Sequence, residues 1–486
     1  MQEFLTPFSF LQITLMAKSK KQASTDAVQF DYTGFLTETV DSVAQRLNYD
    51  SDPIESATPM STGVLILDLL YGGGIRPGWY THFGKEQSSK TTGALVIAAN
   101  AIKEKVPLIT FFDYEGSSVN SMPYIQSILK TEGINRTISE VFGTKDHDTG
   151  KWITPPIIRF HVESVAEKFF DFLANVLREL PDKKMVNGKW WLIYEDTKKN
   201  KARVGEFCDP SMPKKYGPGL WVPAPNGELQ ALFVVDSYPA MNPASNDEEE
   251  TDNSLALQAR MFSKQLPRVK GRLMQKMVAV IGTNQLRDAP MVMYGPKENE
   301  PGGQALKYAS DCRCKFTPRS SGQPLWPKSF DKETGWEIEP SVEFEKGRDS
   351  YRYIHLKTVK NKLSVPNRTG WLRIWTNDGE GSARGYDPVF DTLYYLYITG
   401  QLVGRGRKSI KLKLNNTDIE PSVTWLDLKR WILGNRATKI EMCEKLGYKQ
   451  KFCLRKFCFT QLKKGIGEKL YIEHSQSAST EDDTEE

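Results

Sequence analysis

The sequence predicts an α/β fold: a mostly parallel central sheet flanked by helices, carrying a phosphate-binding loop. Three observations predict it. Residues 79–92 read Trp-Tyr-Thr-His-Phe-Gly-Lys-Glu-Gln-Ser-Ser-Lys-Thr-Thr, where an apolar run meets a glycine and then a segment with helical apolar spacing at Leu95, Ile97, Ala98, Ala99 and Ile102. Three more apolar runs, Pro107 to Asp113, Leu232 to Asp236 and Val278 to Gln285, end in a carboxylate or an amide. Helical stretches alternate with these runs, which is the pattern of parallel strands joined by crossovers.

At 486 residues the chain is long enough for more than one domain, and its net charge of +5 is mild, so any nucleic-acid surface must be local. Residues 1–15 lack the basic leader and cleavage site of a signal peptide, and Met16-Ala-Lys-Ser-Lys-Lys reads as the natural start. Those fifteen residues are expected to be a start-site artefact or a disordered extension, within a flexible arm over 1–30. Residues 31–58 follow as a helical region, with Phe35, Leu36, Val40, Val43, Ala44 and Leu47 on one face. Gly72, Gly73 and Gly74 mark a tight turn before the first strand.

Gly84, Lys85, Glu86, Gln87, Ser88, Ser89, Lys90, Thr91 and Thr92 form the expected phosphate loop. Backbone N–H groups and the helix dipole would hold phosphate oxygens, Lys90 would reach the β- and γ-phosphates, and Thr91 would ligate Mg²⁺. The pattern wants glycine directly before the lysine; here Ser89 stands there and must accept a tighter backbone. Ligands of open α/β sheets sit at the carboxyl ends of the strands, where Glu115, Asp236 and Gln285 all fall.

Residues 136–228, with Trp190-Trp191 and several Lys/Asp turns, read as an insertion between two core strands. Residues 241–256 form an acidic loop ahead of a helix over Leu255–Leu273. The Gly-, Pro- and Met-rich stretch 286–303 reads as a long structureless loop, which inside a compact domain is functional or disordered. Lys360 and Lys362 share one face of a strand, either as a solvated face or as a cationic pair with a task.

The ATPase core is expected over 59–365 and a small α+β domain over 366–475, basic from Arg405 to Lys464 with interleaved aromatics. An acidic tail over 476–486, ending Glu481-Asp-Asp-Thr-Glu-Glu486, is expected to be disordered. The six cysteines make no Cys-x-x-Cys pair and read as reduced residues of a cytoplasmic protein. No apolar run approaches the ~20 residues of a membrane span, so no membrane partner is expected.

Several blocks in order then make the chain resemble the RecA recombinase family, and most closely its divergent phage members, the UvsX-like proteins. Over roughly Phe35 to Gly400 these blocks are Ser61-Thr-Gly-Val-Leu-Ile-Leu-Asp, the phosphate loop, Val234-Val-Asp236-Ser237, Asn284-Gln285-Leu-Arg287, Gly302-Gly303-Gln-Ala-Leu-Lys307-Tyr308 and Val359-Lys360-Asn-Lys362. The resemblance implies a RecA-like ATPase with ATP and Mg²⁺ that forms filaments of itself on single-stranded DNA and pairs it with double-stranded DNA. A single-strand-binding protein and a loader protein are implied partners.

By the same resemblance Glu115 activates the attacking water, Asp236 holds Mg²⁺ through water, and Gln285 senses the γ-phosphate. Lys360 and Lys362 reach the ATP of a neighbouring subunit. Tyr124 stacks on adenine, at an offset from Glu115 that differs from the family's. Arg260, Ser263, Arg287, Met291, Met293, Tyr294, Gly302 and Gly303 contact single-stranded DNA. Asp288 and Pro267 depart from the family pattern in that surface. Two other readings share the ATP site: a RecA-fold ring helicase, and a hydrolysis-deficient filament protein that binds single-stranded DNA.

Overall fold

The computed structural model describes residues 58–118, 121–224, 229–244, 254–288, 298–318, 351–375, 385–403, 410–415 and 417–482. All belong to the compact unit Ala57–Glu486. The expected arm over 1–30, the helical region up to residue 57, and Met291, Met293 and Tyr294 lie outside the described residues.

The centre is a nine-stranded sheet. Its strands in chain order are β1 (Gly78–Gly84), β2 (Leu108–Asp113), β3 (Ile158–Val162), β4 (Ala231–Asp236), β5 (Val278–Gln285), β6 (Cys312–Pro318), β7 (Tyr351–Asn361), β8 (Thr369–Trp375) and β9 (Gly385–Tyr386). Across the sheet they run β9-β8-β7-β6-β1-β5-β4-β2-β3. From β6 to β3 all pairings are parallel, and β7, β8 and β9 add an antiparallel extension on the β6 side. The mostly parallel α/β sheet expected from the sequence is therefore the fold.

The central strands are apolar without interruption because both of their faces are covered. Along β4, Leu232 and Val234 enter one core cluster, while Ala231, Phe233 and Val235 enter the other. The first cluster takes in the helices α1 (Leu65–Leu70), α2 (Lys90–Lys103) and α3 (Met122–Thr131). The second takes in α4 (Ala166–Glu179), α5 (Ser254–Lys270) and α6 (Gly303–Ala309). Period 2 in the strands thus sorts side chains between two helical layers.

The stretch 136–228, expected as one insertion, divides. β3 pairs with β2 along five positions and α4 packs under the sheet, so 158–179 belongs to the core. What is inserted is a three-stranded antiparallel sheet of Asp182–Val186, Lys189–Tyr194 and Leu220–Pro223, with its own small core of Trp191, Met212 and Trp221. A boundary at residue 366 also differs from the sequence reading. β8 lies in the central sheet, and one apolar cluster runs from Met60 to Leu462, joining α1 to α7 (Pro388–Ile398) and α8 (Leu454–Lys463). Buried Asp391 explains the union: it accepts from the N–H groups of Leu65 and Ile66 and pairs with Arg455 at 2.9 Å. The last helix, α9 (Ile466–Asp482), enters the expected acidic tail, whose residues 483–486 lie outside the described ones.

Candidate functional site

β1 ends at Gly84, and α2 begins at Lys90 with Ser89 as its N-cap. Ser89 has φ +64° and ψ +28°, the left-handed region, and Gln87 has φ +56°. An L residue pays about 1 kcal/mol or more there relative to glycine. The tightness expected of Ser89 from the sequence is thus a backbone conformation. Inside the loop, Lys90 Nζ donates to the carbonyls of Gly84 (3.0 Å) and Lys85 (2.7 Å) and to Ser88 Oγ (3.1 Å). Burial pulls the Lys90 ammonium down to about 8, against Asp236, Glu115 and Glu86, which raise it.

Asp236 closes β4 and is 1% exposed. Its Oδ1 accepts from Thr283 Oγ1 at 2.5 Å, and its Oδ2 is buried with no hydrogen-bond partner among the described residues. Burial pushes this carboxyl up to about 6; Thr283 and Thr91 lower it, and Glu115 raises it. A buried orphan carboxylate oxygen near a threonine hydroxyl fits a hydrated divalent cation, which would remove the cost of charging it. No cluster of three or more His, Cys, Asp or Glu side chains able to hold a metal by themselves occurs among the described residues.

Glu115 reaches this place because buried Asp113 shapes the turn after β2, accepting from the N–H groups of Gly116 and Ser118 at 2.9 Å each. Glu115 Oε1 then accepts from Ser237 Oγ at 2.5 Å and from Gln285 Nε2 at 3.3 Å. Three neighbouring strand ends, those of β2, β4 and β5, therefore converge on one carboxylate oxygen. In the sequence Ser237 stands only as part of a motif; its hydroxyl supplies a link that the sequence alone does not assign. Tyr124, on α3, sits on the flank of α2 with its hydroxyl 2.6 Å from Thr92 Oγ1.

The stretch after Gln285 is not structureless at its base. Arg287 and Asp288 pair with Asn299 and Glu298 in a short antiparallel ladder, so the two ends of this stretch meet as the stem of a hairpin, and residues 289–297 lie outside the described ones. Two fasteners close the stem: Asn284 Nδ2 donates to Glu300 Oε1 and to the Pro301 carbonyl at 3.0 Å each, and Glu300 pairs with Arg313 of β6 in a nearly buried ion pair. The Leu286 N–H donates to the Gly84 carbonyl at 3.0 Å, the same oxygen that Lys90 holds. Glu300 and Arg313 carry no sequence signal, because they sit 13 residues apart on different elements and each is an ordinary charged residue in isolation.

Gly302 and Gly303, expected to contact single-stranded DNA, have a packing reason of their own. Both have positive φ, +90° and +69°, and a Cβ on Gly303 would lie 2.8 Å from the Ala259 Cβ. α6 thereby seats on α5, beside exposed Arg260 and Ser263. Arg287 is exposed at the base of the hairpin. Lys360 and Lys362 lie elsewhere. Lys360 pairs with Arg313 near the start of β6, and the Lys362 N–H donates to Asp311, whose carboxylate holds Trp79 at the start of β1. They are at the opposite end of the sheet from the phosphate loop. Lys360 Nζ caps α6 through the Lys307 and Tyr308 carbonyls at 2.8 and 2.9 Å, and burial lowers its pKa, with Lys362 next in effect.

Residues 226–324, from β4 through the hairpin to β6, match the RecA N-terminal domain family. The chain is 34% identical over 176 residues to Protein RecA of Thermus aquaticus, covering 36% of this chain and 44% of that one. It is 30% identical over 217 residues to Protein RecA of Mesoplasma florum, covering 42% and 57%, and 31% identical over 189 residues to that of Borrelia hermsii, covering 35% and 48%. The chain spans about half the length of the curated relatives it matches. No helix among the described residues is long and apolar enough to cross a membrane.

Proposed function

The chain belongs to the RecA family, and from that premise we propose that it is an ATP-dependent recombinase. It polymerises on single-stranded DNA, pairs that strand with a homologous duplex and exchanges strands, as the divergent phage members of the family would. The observation that supports this most is the meeting of Glu115, Ser237 and Gln285 on one oxygen beside Lys90 and Asp236, with the hairpin stem beginning two residues beyond Gln285.

In this reading Lys90 turns from its own loop carbonyls to the β- and γ-phosphates of ATP. Thr91 and Asp236 hold Mg²⁺, which when bound offsets charge on the phosphates. Glu115 takes the proton of the attacking water, yielding ADP and phosphate. Gln285 reads the γ-phosphate, and its position at the head of the hairpin lets DNA occupancy and nucleotide state bias one another. Single-stranded DNA lies against the hairpin and the exposed Arg260, Ser263 and Arg287. Duplex DNA is held by the basic residues between Arg405 and Lys464, through phosphate neutralisation. Lys360 and Lys362, remote from their own phosphate loop, serve a neighbour's nucleotide. A single-strand-binding protein and a loader are the proposed partners in the cell.

The test is phosphate release with ATP and Mg²⁺, with and without single-stranded DNA. Strong stimulation by DNA together with helical filaments in electron micrographs is expected. Closed rings would point to a ring helicase, and filaments without turnover to a hydrolysis-deficient DNA-binding protein.

A further inference from the structure

The two left-handed, non-glycine positions of the phosphate loop share a feature: each carbonyl is held from outside the loop. Tyr386 Oη donates to the Ser89 carbonyl at 3.3 Å. Arg352 Nη1 donates to the Gln87 carbonyl at 3.1 Å. Both donors come from the antiparallel extension, Arg352 from β7 and Tyr386 from β9 at the sheet edge. Tyr386 is buried, and Gly93 makes room for it: a Cβ at Gly93 would lie 2.8 Å from the Tyr386 oxygen. The Gly93 N–H itself donates to the same Ser89 carbonyl at 3.0 Å, so helix and tyrosine together satisfy both lone pairs of that oxygen. The glycine missing before Lys90 is present four residues later, where it admits the clamp.

A trans peptide is planar, so fixing a carbonyl fixes the next N–H in the opposite direction. Holding the Gln87 and Ser89 oxygens outward therefore aims the N–H groups of Ser88 and Lys90 into the loop. We propose that Tyr386 and Arg352 are positioning residues that lock the phosphate loop in its left-handed form, replacing the conformational freedom a glycine at position 89 would supply. The proposal rests on the reading of this loop as the nucleotide site.

The test is a double-mutant cycle read by equilibrium binding of a slowly hydrolysed ATP analogue with Mg²⁺, with thermal unfolding of each variant as the folding control. Tyr386→Phe removes one oxygen and should weaken binding about five- to tenfold, the scale of one lost hydrogen bond. Glycine enters the left-handed region without steric cost, so in the Ser89→Gly background the same change should cost less than about twofold. Arg352→Gln should weaken binding in both backgrounds, because Gln87 is unaltered in each. Equal losses for Tyr386→Phe in the two backgrounds, no loss, or unfolding in both would overturn the proposal while leaving the nucleotide site standing. Failure of the unmodified protein to bind the analogue would overturn the nucleotide reading itself, and the clamp with it.

Discussion

At the scale of single residues, the site is a set of groups whose charges depend on one another. Glu115 is the base in the proposed reaction, and it is held by two neutral donors rather than by a cation. Glu115→Gln should therefore keep nucleotide binding and lower DNA-stimulated turnover by roughly a hundredfold or more, the usual weight of a general base. Phosphate release at the unmodified rate would remove Glu115 from that role. Lys90 and Asp236 set a pH window. Asp236, raised to about 6, is neutral below that value and then cannot serve a cation. Lys90, lowered to about 8, loses its proton above that value and then cannot serve phosphate. Affinity for ATP with Mg²⁺ should fall on both sides of the interval from about 6 to about 8. Binding at pH 8.5 should take up protons, because phosphate favours the charged lysine. Calorimetry in two buffers of different ionisation heat measures the uptake, and its absence would mean that Lys90 does not meet phosphate.

At the scale of elements, the legible parts were those where one physical cause acts on contiguous residues. β4 and β5 are continuous apolar runs because helices cover both faces, and their ends carry the polar residues to which the proposed function assigns roles. β3 was not legible: Ile158-Arg-Phe-His-Val mixes charge with apolar residues because, among the described residues, only one of its edges is paired, and the strand falls inside the expected insertion. The hairpin stem was not legible either, since its closure depends on Glu300 meeting Arg313 across the fold. That pair yields a prediction. Glu300→Gln leaves a nearly buried guanidinium without its partner charge and loosens the stem, at a cost of a few kcal/mol in stability. Nucleotide binding should persist, because no loop residue is touched, while stimulation of ATPase by single-stranded DNA should fall severalfold. A variant as stable and as strongly stimulated as the unmodified protein would show that the stem does not connect DNA to the site.

At the scale of the whole molecule, the candidate residues fall at two opposite ends of the sheet. The phosphate loop, Glu115 and Gln285 are at the carboxyl ends of the parallel strands, and Lys360 and Lys362 are at the start. Mixing Lys360→Ala protein with Glu115→Gln protein should restore part of the hydrolysis that each lacks alone, at those interfaces where both intact halves meet. Activity that stays at the level of the separate variants over all mixing ratios would argue against a shared site. The separation also has a consequence in arithmetic. If every site needs a loop from one chain and lysines from the next, the contact is head-to-tail and cannot close on a pair. An open row of n subunits then holds n − 1 complete sites. One terminus always exposes a loop awaiting its lysines, and the other always exposes lysines awaiting a loop. Turnover per subunit would climb with the length of the row and level off, and growth and loss at the two termini would follow different rate laws.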